Sequence, residues 1–237
     1  KNDEEKLIYI NQRFTSATAL AAYMIRVKLR SSHCALHEYL YGTKAANDAF
    51  GLNSTKNYSG DILGKIKKLK SIVPKRYIEQ SLMQEDHQWL YDEKEYNIVC
   101  DKEIGIYKKI GELAEQLSEK RERNKVNTLI KCLKEHKKVL AFDSTVITLD
   151  YLHKLLQEKQ ISAKTIVAAG HNSGDRKQVM QLFSLENQSD EKLIALCSDA
   201  MSEGINLQDA SCLILLDMPS VLRIIEQRIG RMERMDC

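Results

Sequence analysis

The end of the chain brings together side chains that suit phosphate chemistry. Gln227, Arg231 and Arg234 have i, i+4, i+7 spacing, which places them on one face of a helix. Planar guanidinium groups match phosphate oxygens with paired hydrogen bonds. Gly230 interrupts this helix beside the polar face, where a glycine allows close approach to the backbone. For the arginines alone a solvated charged face is the simpler interpretation. The full pattern Gln-x-x-Gly-Arg-x-x-Arg is harder to explain in that way, and its meaning depends on the rest of the chain.

The other side of the predicted helix is apolar. Its residues recur at a helical spacing that is typical of a stripe packed on a core. They are Leu222, Ile225, Ile229 and Met232. We therefore expect the helix to bury this stripe and to present the glutamine and the arginines outward.

A loop with related chemistry precedes this helix. Residues 197–211 read CSDAMSEGINLQDAS, so an apolar strand ends in Ser198 and Asp199 and the chain then turns through Glu203 and Gly204. Hydroxyl groups and backbone N–H groups in such a loop suit contacts to phosphates. Alone, such a sequence is common in loops. It becomes evidence for a phosphate site only together with the helix that follows.

The elements that must position these residues begin at about residue 124. Apolar strands separated by helices predict an α/β fold with a parallel sheet covered on both faces. The predicted elements are a helix at about 124–137, strands at 138–144, 164–170, 192–197 and 211–217, a helix with Val146, Leu149, Leu152 and Leu156 on one face, a helix containing Val179, Leu182 and Phe183, and the arginine helix. Ligands of such sheets bind at the carboxyl ends of the strands. The loops at those ends are Asp143–Ser144, Gly170–His171–Asn172, Ser198–Asp199 and Asp217–Met218–Pro219.

Residues 1–123 have a different pattern. Short helical patterns and charges dominate, and strands are sparse, so we expect a mostly helical linker or inserted subdomain before the domain at 124–237. Its stretch at 63–76 is basic, which fits either a solvated helix face or a nucleic-acid contact. His33, Cys34 and His37 have spacing that zinc ligands can adopt, but no second ligand pair lies nearby, and we interpret them as ordinary helix residues.

The composition is that of a globular chain. Of 237 residues, 43% are hydrophobic and 29% charged, and the net charge of +3 neither requires nor excludes a nucleic-acid partner. The six cysteines form no Cys-x-x-Cys pair and are interpreted as buried free thiols of a reducing compartment. No membrane span or signal peptide is apparent. We expect a location in the cytoplasm, or in the nucleus of a eukaryote.

The loop and the arginine helix together resemble a known family. The string SDAMSEGINLQDA, a buried strand and then EQRIGRMER are similar to motifs V and VI of superfamily-two helicases, and Glu-Gly-x-Asn-Leu-Gln is typical of their Swi/Snf-type DNA translocases. The string KVLAFDSTVITLDYLHKLL resembles motif IV with its helix, NKVNTLIKCLKEHKKVLAF resembles the approach to it, and GHNSGDRKQVMQLF resembles the segment after the second strand. The resemblance runs from about residue 124 to 236. MPSVLR departs from the family, which often has Pro-Trp-Asn-Pro there, and the chain stops at Cys237, where a lobe would continue.

The resemblance implies a RecA-like second lobe with ATP in the cleft between it and a first, N-terminal lobe of the same polypeptide. It implies that ATP and Mg²⁺ are held mainly by that first lobe. Arg231 and Arg234 match the arginine fingers, and Gln227 matches the glutamine near the γ-phosphate. The remaining matches are Glu203, Gly204 and Asn206 at the nucleotide side, Ser144, Gly170 and Ser198 at the nucleic-acid backbone, and Asp199, which orders the motif V loop or couples the two sites.

The first lobe itself has no counterpart in the chain. Its phosphate-binding motif is Gly-x-x-x-x-Gly-Lys-Ser/Thr, and the nearest string, GDILGKI at 60–66, is one residue short and is interpreted as a loop and helix start. DEEK at 3–6 and DEKE at 92–95 follow no apolar strand, and TSAT at 15–18 lies in a stretch that continues as a helix. Since the chain also starts at Lys1, we expect a fragment that cannot hydrolyse ATP alone.

Three functions remain open at this point. The first is an ATP-driven translocase on duplex DNA, with contacts to the DNA backbone. The second is an RNA helicase or a strand-separating DNA helicase of the same superfamily. The third is a non-catalytic module that uses the RecA-like fold as a scaffold, and Gln227, Arg231 and Arg234 argue against it because a scaffold has no need of all three.

Overall fold

The protein divides into two compact units that share the N-terminal part of the chain. The computed structural model describes residues 3–54, 61–70, 92–169, 173–187, 189–202, 207–219 and 221–230. One unit, here called the helical unit, comprises Lys1–Leu29, Leu36–Ala46 and Thr55–Leu117. The other, here called the lobe unit, comprises Arg30–Ala35, Asn47–Ser54 and Ser118–Cys237. The sequence pattern did not indicate that the lobe unit includes two short pieces of the N-terminal region.

Helices occupy the described N-terminal region, as predicted. They are α1 (Asp3–Ser31), α2 (His33–Tyr41), α3 (Thr43–Phe50), α4 (Ile62–Lys70) and α5 (Glu93–Glu115). Within the helical unit, apolar side chains of α2, α4 and α5 form the core, including Leu36, Leu40, Ile66 and Ile104. At Gly111 of α5 a Cβ atom would collide with the Tyr41 hydroxyl, so a larger residue there would force the Tyr41 side chain to move.

Two strings that resemble nucleotide-binding motifs turn out to be helix starts. Asp92, which opens the string DEKE, is the N-cap of α5, and its carboxylate accepts hydrogen bonds from the backbone N–H groups of Lys94 at 2.8 Å and Glu95 at 3.0 Å. In GDILGKI, the Asp61 carboxylate accepts a hydrogen bond from the N–H of Gly64 at the start of α4. For residues 61–66 this confirms the predicted helix start. The basic stretch lies in α4 as far as Lys70, and its remainder is outside the described residues.

The lobe unit contains the predicted parallel sheet. Its strands are β1 (Lys138–Phe142), β2 (Lys164–Ala168), β3 (Leu193–Cys197) and β4 (Cys212–Leu215), in the order β2-β3-β1-β4. All three pairings are parallel. Every residue of the two central strands, β1 and β3, is buried. The α/β prediction is therefore confirmed, and all four carboxyl ends meet at one edge of the sheet.

Helices flank the sheet where the pattern predicted them. They are α6 (Lys120–Glu135), α7 (Val146–Glu158), α8 (Ser173–Leu182) and α9 (Leu222–Ile229), with a short 3-10 helix at Asp199–Ser202. The predicted apolar face of α7, which includes Leu149 and Leu152, is buried, and so are Val179 and Phe183 of the α8 region. Within the described residues, no helix combines the length and the apolar character needed to span a membrane.

Candidate functional site

Four of the ten predicted site residues lie within the described part of the chain. Ser144, Ser198, Asp199 and Gln227 belong to it. The others fall outside the described residues: Gly170, Glu203, Gly204, Asn206, Arg231 and Arg234. The site can therefore be built from the carboxyl edge of the sheet and from the described turns of α9.

The loops at that edge are joined by extensions of the strand ladders. The backbone N–H of Asp143 donates to the carbonyl of Cys197 at 3.1 Å, and that of Ser198 donates to Ala168 at 3.1 Å. These bonds bring the end of β1 beside the end of β3, and the end of β3 beside that of β2. The edge thus gathers the segments that carry Ser144 and Ser198.

The two serines differ in their surroundings. Ser144 is exposed, and its backbone N–H donates to Oδ2 of Asp217 at 3.1 Å. Ser198 is only 4% exposed, and its hydroxyl donates to the carbonyl oxygen of Ala169 at 2.7 Å. Ser144 can therefore present its hydroxyl to a ligand, whereas Ser198 holds the residue that precedes Gly170.

Arg228 is the centre of the site, although the sequence pattern assigned it no role. It lies on α9 and is fully buried. Its Nε donates to Oδ1 of Asp199 at 2.7 Å, and its Nη1 donates to Oδ1 of Asp217 at 2.8 Å. Its guanidinium carbon lies 5.7 Å from the centre of the Phe142 ring. One side chain thus connects the ends of β1, β3 and β4 to α9.

This arrangement corrects the predicted buried face of α9. Leu222 is 68% exposed and Ile229 is 37% exposed, so the prediction of a buried stripe was wrong for these two residues. The two carboxylates at the edge of the sheet draw the guanidinium of Arg228 inward, and this turns the apolar side chains outward. Met232 lies outside the described residues. The helix ends at Ile229, where Gly230 is its C-cap, with an N–H bond of 2.8 Å to the carbonyl of Glu226.

A second buried carboxylate lies next to Ser144. Asp143 is fully buried, and its Oδ1 accepts from the Ser31 hydroxyl at 2.5 Å and from the Thr145 N–H at 2.9 Å. Its Oδ2 lies 3.3 Å from Nζ of Lys125. Burial and the neighbouring charge of Asp217 raise the pKa of Asp143, and the lysine and the two hydrogen bonds counteract that rise.

The sequence did contain a signal for this network. Asp143 and Asp217 each end an apolar strand, and a carboxylate at the buried end of a strand needs a cation nearby. The cation could not be identified from spacing, because Lys125 and Arg228 lie on helices elsewhere in the sequence. The carboxylates Asp143, Asp199 and Asp217 all have such a partner, so none of these three is a Mg²⁺ ligand in this arrangement.

The predicted helix residues His33, Cys34 and His37 have ordinary packing. The His33 ring packs edge-on against Phe50 with ring centres 5.2 Å apart, and the His37 ring lies 4.8 Å from that of Tyr41. Cys34 is buried. Across the described ranges, no three His, Cys, Asp and Glu side chains are grouped to hold a metal ion.

The cysteines within the described residues are free thiols. They are Cys34, Cys100, Cys132, Cys197 and Cys212, of which three are buried and two half-buried. Burial raises the pKa of the Cys197 thiol to about 12. The prediction of free thiols is confirmed for these five residues. The prediction that the thiols are buried is confirmed for Cys34, Cys100 and Cys197.

Comparisons with known proteins give a family match, a related sequence and a similar solved structure. Residues 124–236 match the family of helicase conserved C-terminal domains. The chain is 34% identical over 112 residues to the RNA polymerase-associated protein RapA of Photobacterium profundum, a match that covers 46% of this chain and 11% of that protein. The crystal structure of the C-terminal part of the Fun30 ATPase domain is 19% identical, with a TM-score of 0.41 over 73% of this chain and 56% of that one. The segment at 124–236, with its parallel sheet, is therefore a RecA-like lobe that matches the helicase conserved C-terminal domain family and is similar to superfamily-two helicases of the Swi/Snf-like type.

Proposed function

We propose that the lobe unit is the second lobe of an ATP-driven translocase that acts on duplex DNA. A first lobe of the same polypeptide would supply the phosphate-binding loop and hold Mg²⁺. The observation that carries the proposal is the position of α9. Arg228 fixes this helix to the edge where the strand loops meet, and Gln227, Arg231 and Arg234 belong to the same helix and its continuation in sequence.

The proposed chemistry is stabilisation of charge on the phosphate that is transferred. Charge is spread over the phosphoryl oxygens in the transition state, and an arginine supplied across an interface is worth roughly 10³–10⁵ in rate. Arg231 and Arg234 would bind those oxygens, and Gln227 would lie near the γ-phosphate. Glu203, Gly204 and Asn206 would line the nucleotide side of the motif V loop.

The proposed nucleic-acid contacts lie at the same edge of the sheet. The exposed hydroxyl of Ser144 would donate to a phosphate of the backbone. Gly170 would let the backbone approach, and Ser198 would shape that loop through its bond to Ala169. Opening and closing of the cleft with each ATP would shift these contacts along the duplex. The free thiols support a reducing location in the cytoplasm or the nucleus.

The test is an ATPase assay on the full polypeptide that carries both lobes, with and without duplex DNA. We expect turnover stimulated by DNA, and we expect Arg231→Ala to lower it by roughly 10³-fold or more while DNA binding persists. Arg223→Ala is the matched control, because Arg223 is an exposed arginine of α9, eight residues before Arg231 in the sequence. An equal loss of ATPase activity and DNA binding in Arg231→Ala would make this arginine structural or a DNA contact.

The same assay separates the alternatives. Stimulation by RNA or by single strands, but not by duplex DNA, would favour a helicase that separates strands or acts on RNA. No turnover with any nucleic acid, in a folded protein with both lobes, would favour the scaffold function. The chain of 237 residues alone is expected to show no ATPase activity above background.

A further inference from the structure

We propose that Arg228 is a positioning residue that couples nucleic-acid contact at Ser144 to the arginines that follow α9. Asp217 and Asp199 are its two partners in this role. The inference rests on the proposed function, since it states how the two halves of that site communicate. It concerns a residue that touches neither ligand.

The guanidinium of Arg228 contacts carboxylates of two different loops. Arg228 is fully buried, and its Nε and Nη2 lie 2.7 Å and 2.6 Å from the same oxygen of Asp199. Its Nη1 lies 2.8 Å from Oδ1 of Asp217. A planar guanidinium holds its donors in a fixed orientation, so both loops must keep their places for all these contacts to persist.

Asp217 connects Arg228 to Ser144. The other carboxylate oxygen of Asp217, Oδ2, accepts the backbone N–H of Ser144 at 3.1 Å. Asp217 therefore binds Ser144 with one oxygen and Arg228 with the other. A shift of Ser144 on a DNA backbone would move Asp217, and Asp217 would move the helix that precedes Arg231.

Asp199, just after the end of β3, connects Arg228 to a second loop. It follows Ser198, whose hydroxyl holds the carbonyl of Ala169, and it opens the 3-10 helix at Asp199–Ser202. The guanidinium thus also fixes the start of the loop that contains Glu203. Contacts at β1, β3 and β4 converge on one side chain of α9.

Stability alone does not explain a buried arginine here. Replacing a buried ion pair by apolar residues is often neutral or stabilising. Helix α9 has apolar side chains for such an anchor, yet Leu222 is 68% exposed while Arg228 is fully buried. An ion-pair network with discrete bonding arrangements is the kind of element through which two sites can influence each other.

The experiment compares substitutions in the full polypeptide that carries both lobes. Arg228→Lys keeps the charge but loses the planar fork and shortens the side chain. Asp217→Glu, added to Arg228→Lys, lengthens the partner and restores the reach. The matched control is Lys138→Gln, which removes a buried cation that pairs with Asp209 near the start of β1, away from the carboxyl edge. For each variant we would measure the melting temperature, the affinity for duplex DNA and the stimulation ratio, defined as turnover with saturating DNA divided by turnover without it.

We expect Arg228→Lys to lower the stimulation ratio by about tenfold, within the usual range of coupling between sites, and the double variant to recover a substantial part of it. Lys138→Gln should lower the melting temperature and leave the ratio unchanged. An unchanged ratio in Arg228→Lys, or a fall of similar size in Lys138→Gln, would overturn the inference. If Arg228→Lys does not fold, Asp199→Asn takes its place with the same expectations. A wild-type protein without any stimulation would instead count against the proposed function.

Discussion

The carboxyl edge of the sheet contains a buried ion pair between Asp143 and Lys125, and we expect the stability of the protein to depend on it. Asp143 is fully buried, and Lys125, 13% exposed, lies 3.3 Å from it and also donates to the carbonyl of Ser31 at 2.6 Å. Removing the lysine would leave a buried carboxylate without its cation. We therefore expect Lys125→Met to lower the free energy of unfolding by about 3–5 kcal/mol, the usual cost of breaking a buried pair. Urea denaturation at neutral pH measures it.

An exposed ion pair of the same unit provides the control for that prediction. Lys137 and Asp190 lie 2.5 Å apart with side chains 65% and 89% exposed. Water and salt screen such a pair, so Lys137→Met should leave the denaturation midpoint unchanged within error. Equal effects of the two substitutions would mean that the burial of Asp143 does not govern the strength of its pairing.

At the scale of elements, the junction of α1 and α2 packs into the lobe unit. Ser31 and Ser32 are fully buried, and their hydroxyls lie 2.6 Å and 2.7 Å from the hydroxyl of Thr148 in the first turn of α7. The Ser32 hydroxyl also accepts the N–H of Ala35 at 2.9 Å, which caps α2. One residue thus joins the start of α2 to the start of α7.

We expect Ser32→Ala to destabilise the protein by about 1–3 kcal/mol, because it removes an N-cap and leaves a buried hydroxyl with one partner fewer. The readout is the urea midpoint at an unchanged m-value. Ser16→Ala, at an exposed position of α1, is the control and should have little effect. A loss of stability no larger than that of Ser16→Ala would contradict the assigned contacts.

These elements also show what a sequence pattern can and cannot predict. The parallel sheet and the buried face of α7 follow from local apolar periodicity, because burial sets that period directly. The packing of Ser31 does not, since its partner Thr148 is 117 residues away. On α9 the same apolar rule gave the wrong face for Leu222, because the guanidinium of Arg228 pairs with Asp199 and Asp217, and apolar periodicity carries no information about such pairing.

At the scale of the whole molecule, charge is nearly balanced. The chain has 36 Lys and Arg residues and 33 Asp and Glu residues, so its net charge is +3. This net charge by itself would give little long-range attraction to DNA, so we expect the proposed translocase to gain its affinity from local contacts to phosphates. Such contacts release counterions, and the logarithm of the binding constant then falls with the logarithm of salt by about 0.9 per phosphate contacted. We expect this salt dependence, together with indifference to base sequence.

The measurement is fluorescence anisotropy with two labelled duplexes of equal length and unrelated sequence, over a series of salt concentrations. Both duplexes should give the same affinity and the same slope, since backbone contacts carry no sequence information. Ser144→Ala should reduce the affinity for both duplexes alike, while Arg223→Ala serves as the exposed control. A preference for one duplex would require contacts to base edges, which the proposed residues do not supply. Tighter binding to RNA or to a single strand would favour the alternative function, a helicase that acts on RNA or separates DNA strands through the same backbone contacts.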